Sequence, residues 1–290
     1  MASEDASVES YYVTNPLDGV RLHCLRWGTG PRLIVAIHGL TGHAWHWRRT
    51  AERLGSEYTL VSYDLRGHGD SEKPQSGYTY GHQRQDLEAV VAHFAGGLDA
   101  EAERPVIIGH SLGARVAMPY VTARHPRGFV IVDPGITPHV AGGPPRREGA
   151  PRRRPLQMGN ESREEFMTAM QRTNFLRNWH EHNEEYAAQS IEPVGEGSAV
   201  RLKLTPWALQ QTQQAIGESD LIEYFSHIAC PTLIIRATEG HLSQPMAERM
   251  REEIGGSELI VIEDSNHNVM LDRPDAFDAA LEPFLERVFA

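Results

Sequence analysis

A serine, a histidine and a pair of backbone amides carry the chemistry that can be read from this chain. Ser111 is the centre of "GHSLG" (Gly109–Gly113). The bare G-x-S-x-G pattern is weak, but here a strand-like "PVIIGH" precedes it and a helix-like "LGARVAMPYVTARH" follows, which predicts a tight strand-to-helix turn. Such a turn lifts the serine oxygen above a sheet at a helix N-terminus, where amide N–H groups and the helix dipole favour a developing anion. The flanking glycines, lacking Cβ, let the turn approach its neighbours. To act as a nucleophile the serine needs a base that titrates near neutrality, and histidine does so unperturbed. Of fifteen histidines, His267 in "EDSNHNVMLDRPDAF" is preferred. It falls between the last strand and the last helix, at the carboxyl end of a strand, and follows the serine in the expected chain order. Upstream, "IHGLTGHAWHW" leaves another buried strand through His38-Gly39-Leu40. The amides of Leu40 and Leu112 would form a two-donor oxyanion hole, each donor typically worth ~10²–10³ in rate.

The elements that must hold these groups follow from short runs rich in Val and Ile. They are 20–27, 32–38, 58–64, 105–110, 129–133, 231–237 and 258–264. The later ones are almost continuously apolar, as strands buried on both faces of a parallel sheet are. Helix-period segments lie between them. The clearest is C-terminal, where Ala276, Phe277, Ala280, Leu281, Phe284, Leu285, Val288 and Phe289 make one apolar stripe. Alternating strands and helices predict an α/β fold with helices on both sheet faces. The alternation stops from about 135 to 219. "GITPHVAGGPPRREGAPRRRP" must be loop, and the helical-looking pieces "SREEFMTAMQRTNF", "HEHNEEYAAQS" and "TPWALQQTQQAI" follow. The expected organisation is a core of residues 1–134 and 220–290 with a mostly helical cap, 135–219, inserted between two core strands.

Composition narrows the function classes. With 290 residues and a formal net charge of −11, the chain lacks the basic character of a general nucleic-acid or anionic-membrane binder. Cys24 and Cys230 are far apart, without metal-ligand spacing, and read as small buried thiols. No metal or organic cofactor is implied. "MASEDASVES" has neither the basic nor the apolar region of a secretory signal, and no apolar run approaches a membrane span. A cytoplasmic protein, monomer or homodimer, is expected.

Four motifs in order, "HGLTGHAWHW", "YDLRGHGDS", "GHSLG" and "SNHNVMLDRPDAF", give the chain a resemblance to the α/β-hydrolase fold over nearly its whole length. The resemblance implies an eight-stranded, mostly parallel sheet with a helical cap after the sixth strand, and a Ser–His–acid triad. Asp64, Arg66 and His68 of the second motif are usually structural in that family. In most members the acid follows the strand that here is "PTLIIRA", and aligning Ala237 with the family's glycine puts Gly240 at the acid. Glu239 is adjacent but would point differently. Asp264 lies only three residues before His267 and reads as a strand-end residue. A minority of the family carries the acid one strand after the nucleophile's, which here is Asp133 in "IVDPG". Asp133 is therefore preferred, with Glu239 as the alternative. "GHSLGAR", "IVDPG" and the Gly/Pro/Arg-rich start of the cap look similar to the N-formylmaleamate deformylases and the 2-(acetamidomethylene)succinate hydrolases, which hydrolyse C–N bonds in small acidic amides.

The expected activity is hydrolysis of a small carboxylic ester or amide through an acyl-enzyme. The triad would not distinguish this from C–C bond hydrolysis or lactone opening. Serine at 111, rather than aspartate, argues against dehalogenase or epoxide-hydrolase chemistry. A non-catalytic ligand-binding protein is the remaining alternative, for which Gly240 is the best support. The expected partner is a small-molecule substrate, with an anion among the candidates, and no nucleic acid and no membrane. Trp45, Trp47, His110 and Trp207 are expected around it, and Arg146, Arg147, Arg152, Arg153 and Arg154 are either a carboxylate clamp or a solvated loop.

Overall fold

The computed structural model describes residues 8–96, 104–136, 161–173, 179–218 and 221–290. All seven Val/Ile-rich runs form strands of one eight-stranded sheet. They are β2 (Arg21–Trp27), β3 (Arg32–Ile37), β4 (Tyr58–Tyr63), β5 (Val106–His110), β6 (Gly128–Val132), β10 (Thr232–Glu239) and β11 (Glu258–Asn266). The eighth, β1 (Val8–Thr14), pairs antiparallel with β2 from Val8↔Trp27 to Thr14↔Arg21. It has no apolar run to announce it, because as an edge strand it buries only Val13. The order is β1-β2-β4-β3-β5-β6-β10-β11, and every pairing from β4 onward is parallel.

Alternate side chains of the central strands face two separate cores. Val35, Ile37, Phe129 and Ile131 pack under α2 (Tyr80–Phe94), α3 (Leu112–Arg124) and α7 (Gln244–Glu253). Ile34, Ala36, Val130 and Val132 pack under α1 (Arg48–Leu54) and α9 (Pro274–Phe289). The stripe read in the last helix is the buried face of α9, centred on Phe277, Leu281 and Phe284; Ala276 falls outside it and is exposed. Cys24 and Cys230 are buried free thiols. Among the described residues no helix is long and apolar enough to cross a membrane.

The insertion follows β6. Its helices α4 (Arg163–Gln171), α5 (Glu181–Gln189) and α6 (Pro206–Glu218) coincide with the three helical segments of the sequence. The start of α4 is set by a capping box, in which Ser162 Oγ accepts the Glu165 amide at 3.2 Å and Glu165 Oε2 accepts the Ser162 amide at 2.8 Å. The mostly helical expectation needs one addition. β7 (Glu161–Ser162), β8 (Ile191–Pro193) and β9 (Ala199–Leu202) form a three-stranded antiparallel sheet, each strand too short to leave a periodic signal. Phe166, Met170, Tyr186 and Ile191 carry the α9-side core into the insertion. Arg146, Arg147, Arg152, Arg153 and Arg154 lie outside the described residues.

Candidate active site

Ser111 joins β5 to α3 with φ 52° and ψ −113°. Left-handed backbone at a residue with a Cβ costs on the order of 1–3 kcal/mol, which the surrounding packing must sustain. The Ser111 amide donates to the Val132 carbonyl at 2.9 Å, tying the turn to the neighbouring strand. Gly113 has no room for a side chain, since a Cβ there would stand 2.3 Å from the Ile37 carbonyl oxygen. Leu40, Ser111 and Leu112 line one cavity of about 420 Å³. The loop that carries Leu40 is anchored by His68, whose Nε2 donates to the Leu40 carbonyl at 2.6 Å. His68 thus has a structural partner at the site, which its motif alone did not reveal.

His267 lies in the same cavity wall, on the two-residue link between β11 and α8 (Val269–Asp272). The link is pinned by the Asn266 amide on Asp272 Oδ2 and the Asn268 amide on Asn266 Oδ1, both at 2.8 Å. His267 Nδ1 meets Asp133 Oδ2 at 2.6 Å. Asp133 ends β6 with φ 40°, and its carboxylate is wholly buried. Three amides from the end of β10 and the loop beyond it cradle that carboxylate: Ala237 on Oδ1 at 3.2 Å, Leu242 on Oδ1 at 3.3 Å and His241 on Oδ2 at 2.7 Å. Burial pushes the Asp133 carboxyl above its ordinary range, and the three amides pull in the opposite direction.

Gly240 sits inside this cradle. A Cβ at 240 would stand 2.2 Å from Asp133 Oδ2 and 2.4 Å from Oδ1, so the position is glycine because the Asp133 carboxylate fills the space. Glu239 also lines the cavity, but the Nδ1 edge of His267 is taken by Asp133. Asp264 forms an ion pair with Arg273 and is largely exposed.

Of the residues expected around a ligand, His110 lines the cavity. Its Nε2 donates to the His267 carbonyl at 2.8 Å, and burial, reinforced by the nearby His267, lowers its pKa to about 3, which keeps it neutral. The three tryptophans are elsewhere, a correction to the expected lining. The 3₁₀ turn Ala44–Trp47 directs His46 into the cavity wall and carries its neighbours away. Trp45 packs edge-on against Trp27 at 6.2 Å, and Trp47 is fully buried against Phe277 at 6.3 Å. Trp207 donates Nε1 to the Pro74 carbonyl at 2.9 Å and packs beside Leu204 and Tyr78.

Two cavity residues escape sequence reasoning, His241 and, on α3, Arg115. The latter stands four positions after Ser111, one helical turn on, a spacing that would have placed both on one face of α3. Arg115 lines the cavity and is only 6 % exposed. Nε donates to the Tyr80 hydroxyl at 2.7 Å, one terminal nitrogen to the Gly135 carbonyl at 2.7 Å and the other to the Ile216 carbonyl at 3.1 Å. All three acceptors are neutral, and among the described residues no carboxylate pairs with this buried guanidinium. The only described cluster with metal-ligand spacing is His23, Asp64 and Asp70. There the Asp64 oxygens already accept His23 Nδ1 at 2.8 Å and the amides of Ala44 and Asp70 at 2.6 and 2.9 Å.

A mostly parallel sheet with a serine turn at the carboxyl end of a central strand, a histidine at the end of the strand three places along, and residues of the insertion lining the same cavity defines an α/β enzyme that works at its strand ends. Residues 34–280 match the Alpha/beta hydrolase family, and the chain belongs to it. N-formylmaleamate deformylase of Pseudomonas putida is 27% identical over 275 residues, 93% of this chain and 94% of that protein. 2-(Acetamidomethylene)succinate hydrolase of Mesorhizobium japonicum is 30% identical over 145 residues, 48% of each chain. The crystal structure of an E-2-(acetamidomethylene)succinate hydrolase superposes with a TM-score of 0.80 at 22% identity, covering 97% of this chain and 100% of that one.

Proposed function

We propose that the protein is a serine hydrolase that cleaves a small, carboxylate-bearing amide or ester through an acyl-enzyme. One observation carries the reading: the 2.6 Å contact of a buried Asp133 with His267 Nδ1, in the cavity that Ser111 lines from a strained turn. With Nδ1–H held by Asp133, Nε2 is the ring's basic nitrogen. Ser111 Oγ attacks the carbonyl carbon as His267 Nε2 takes its proton, and the amides of Leu40 and Leu112 hold the oxyanion. The imidazolium then protonates the leaving nitrogen or oxygen, and the C–N or C–O bond breaks. In the second half water loses a proton to Nε2 and attacks the acyl carbon; the acyl–Oγ bond breaks, Ser111 Oγ takes the proton back from Nε2, and the acid product leaves.

The anionic part of the reading rests on Arg115. Buried charges are ordinarily paired, and a guanidinium that gives single bonds to three neutral oxygens keeps two of its five N–H donors for a carboxylate. The relatives' names, N-formylmaleamate and 2-(acetamidomethylene)succinate, are those of anions that contain an amide.

The test is labelling with an alkyl fluorophosphonate, then a screen of p-nitrophenyl esters, lactones and acidic N-acyl enamines. Wild type is expected to form one adduct at Ser111 and Ser111→Ala none. Acidic amides are expected to lose most of their kcat/KM advantage over neutral esters in Arg115→Gln. Absence of labelling would favour a ligand-binding protein on this fold, and a neutral preferred substrate would remove the anion from the reading.

A further inference from the structure

We infer that His241 is a positioning residue for His267, bracing the imidazole from its face while Asp133 holds its edge. The inference rests on the assignment of His267 as the base of Ser111. The His241 ring stacks on that of His267, with centroids 3.7 Å apart and 27° between planes. The backbone amide of the same residue donates to Asp133 Oδ2 at 2.7 Å, the oxygen that also meets His267 Nδ1 at 2.6 Å. One residue therefore touches both groups on which the basicity and aim of Nε2 depend. Its side chain lines the cavity with Ser111 and reaches the root of the insertion, where its Cβ would be 3.6 Å from a Cβ at Gly135.

An edge bond alone leaves an imidazole a degree of freedom. The Nδ1–H···O contact fixes one point of the ring, and the ring can still tilt about it, moving Nε2 across the space where the serine proton must be collected. A flat ring against the face removes that tilt. His110, with its centroid 4.6 Å from that of His267 and inclined by 45°, supports the link from another side but does not stack. The segment "ATEGHL" (Ala237–Leu242) puts its Glu239 in the cavity wall while Asp133 takes His267 Nδ1, and it provides the carboxylate cradle and this face in six consecutive residues.

The experiment uses the full chain and the variants His241→Ala, His241→Leu and His241→Phe, with the thermal midpoint of each measured alongside. Two readouts are followed: the second-order rate of Ser111 labelling by an alkyl fluorophosphonate, and the low-field proton resonance of His267 Nδ1–H. Loss of the face is expected to slow labelling ~10–100-fold in the Ala and Leu variants, the scale of small misplacements in a reacting group, and to broaden the resonance as water reaches the ring. The Phe variant is expected to restore both, labelling within about threefold of wild type on the same argument. An Ala variant that labels at the wild-type rate with a sharp resonance, or a Phe variant no better than Leu, would overturn the inference. If wild type itself is not labelled, the reading of Ser111 fails, and the resonance alone still decides whether His241 holds the His267 ring.

Discussion

At the scale of single residues, the proposed acid Asp133 is favoured over Glu239 by its contact with His267 Nδ1 and by the space that Gly240 leaves for its carboxylate. Glu239→Gln is expected to leave kcat/KM within about threefold, whereas Asp133→Asn removes the group that holds Nδ1–H and should cost ~10⁴ in kcat; the reverse pattern on any substrate that turns over would return the role to Glu239. Gly240→Ala is the steric counterpart. Its Cβ meets the Asp133 carboxylate at 2.2 Å, so the carboxylate must shift, and a loss of ~10² in kcat with KM little changed is expected. Unaltered turnover in that variant would show that the cradle yields freely. Ser111 and His267 were legible because each sits in a local motif at a strand end, and a motif survives in one dimension. Asp133 was legible only indirectly, through a glycine where the resemblance leads one to expect an acid. Arg115 and His241 were not read, since their significance is a contact between segments distant in sequence, Arg115 with Gly135 and Ile216 and His241 with His267.

Among the elements, the connection between β4 and α2 is held by a buried ion pair rather than by apolar packing. Arg66 is 1 % exposed; Nε and a terminal nitrogen bond Asp86 at 2.6 and 2.7 Å, and the other terminal nitrogen bonds the Gly77 carbonyl at 2.7 Å. Asn15, just after β1, adds a bond to Asp86 Oδ1 at 2.8 Å. Removing Asp86 alone leaves the buried guanidinium with one carboxylate, Asp18, whose Oδ2 accepts a terminal nitrogen at 2.8 Å, so Asp86→Ala should lower unfolding free energy in urea titration by less than the about 3–5 kcal/mol of a fully stranded buried charge. A loss below about 1 kcal/mol would mean that water or another acceptor replaces the carboxylate. The structural role expected for Arg66 in "YDLRGHGDS" agrees with these contacts. The elements that sequence patterns missed share one property: β1 and the small sheet of the insertion bury too few side chains to impose a period on their residues. Six of the seven legible runs bury residues on both faces, which makes them visible; β11, at the opposite edge, is half-buried from Leu259 to Val261 and is read from its apolar run alone.

For the molecule as a whole, the concentration of buried neutral histidines around the strand ends sets an acid limit on stability. Burial lowers His38 to about 3, His43 to about 4 and His110 to about 3, and holds His46 and His68 below the usual range as well. In the unfolded chain these rings titrate near 6.5. Above that pH both states are neutral at these positions and nothing is lost. Below it the unfolded state binds protons that the folded state refuses, so stability drains as pH falls toward the folded values. Each ring contributes on the order of 1 kcal/mol per pH unit in that window. The thermal midpoint should therefore be level from pH 8 to 7 and drop steeply between pH 6.5 and 5. A level midpoint down to pH 5 would show that these rings take up protons without unfolding.

The shared space of Asp133 and position 240 also bears on descent. A side chain at 240 forces the Asp133 carboxylate to shift, so on this backbone an acid at 240 displaces the present arrangement rather than adding to it. A change from one arrangement to the other therefore moves the carboxylate and the 237–242 segment together.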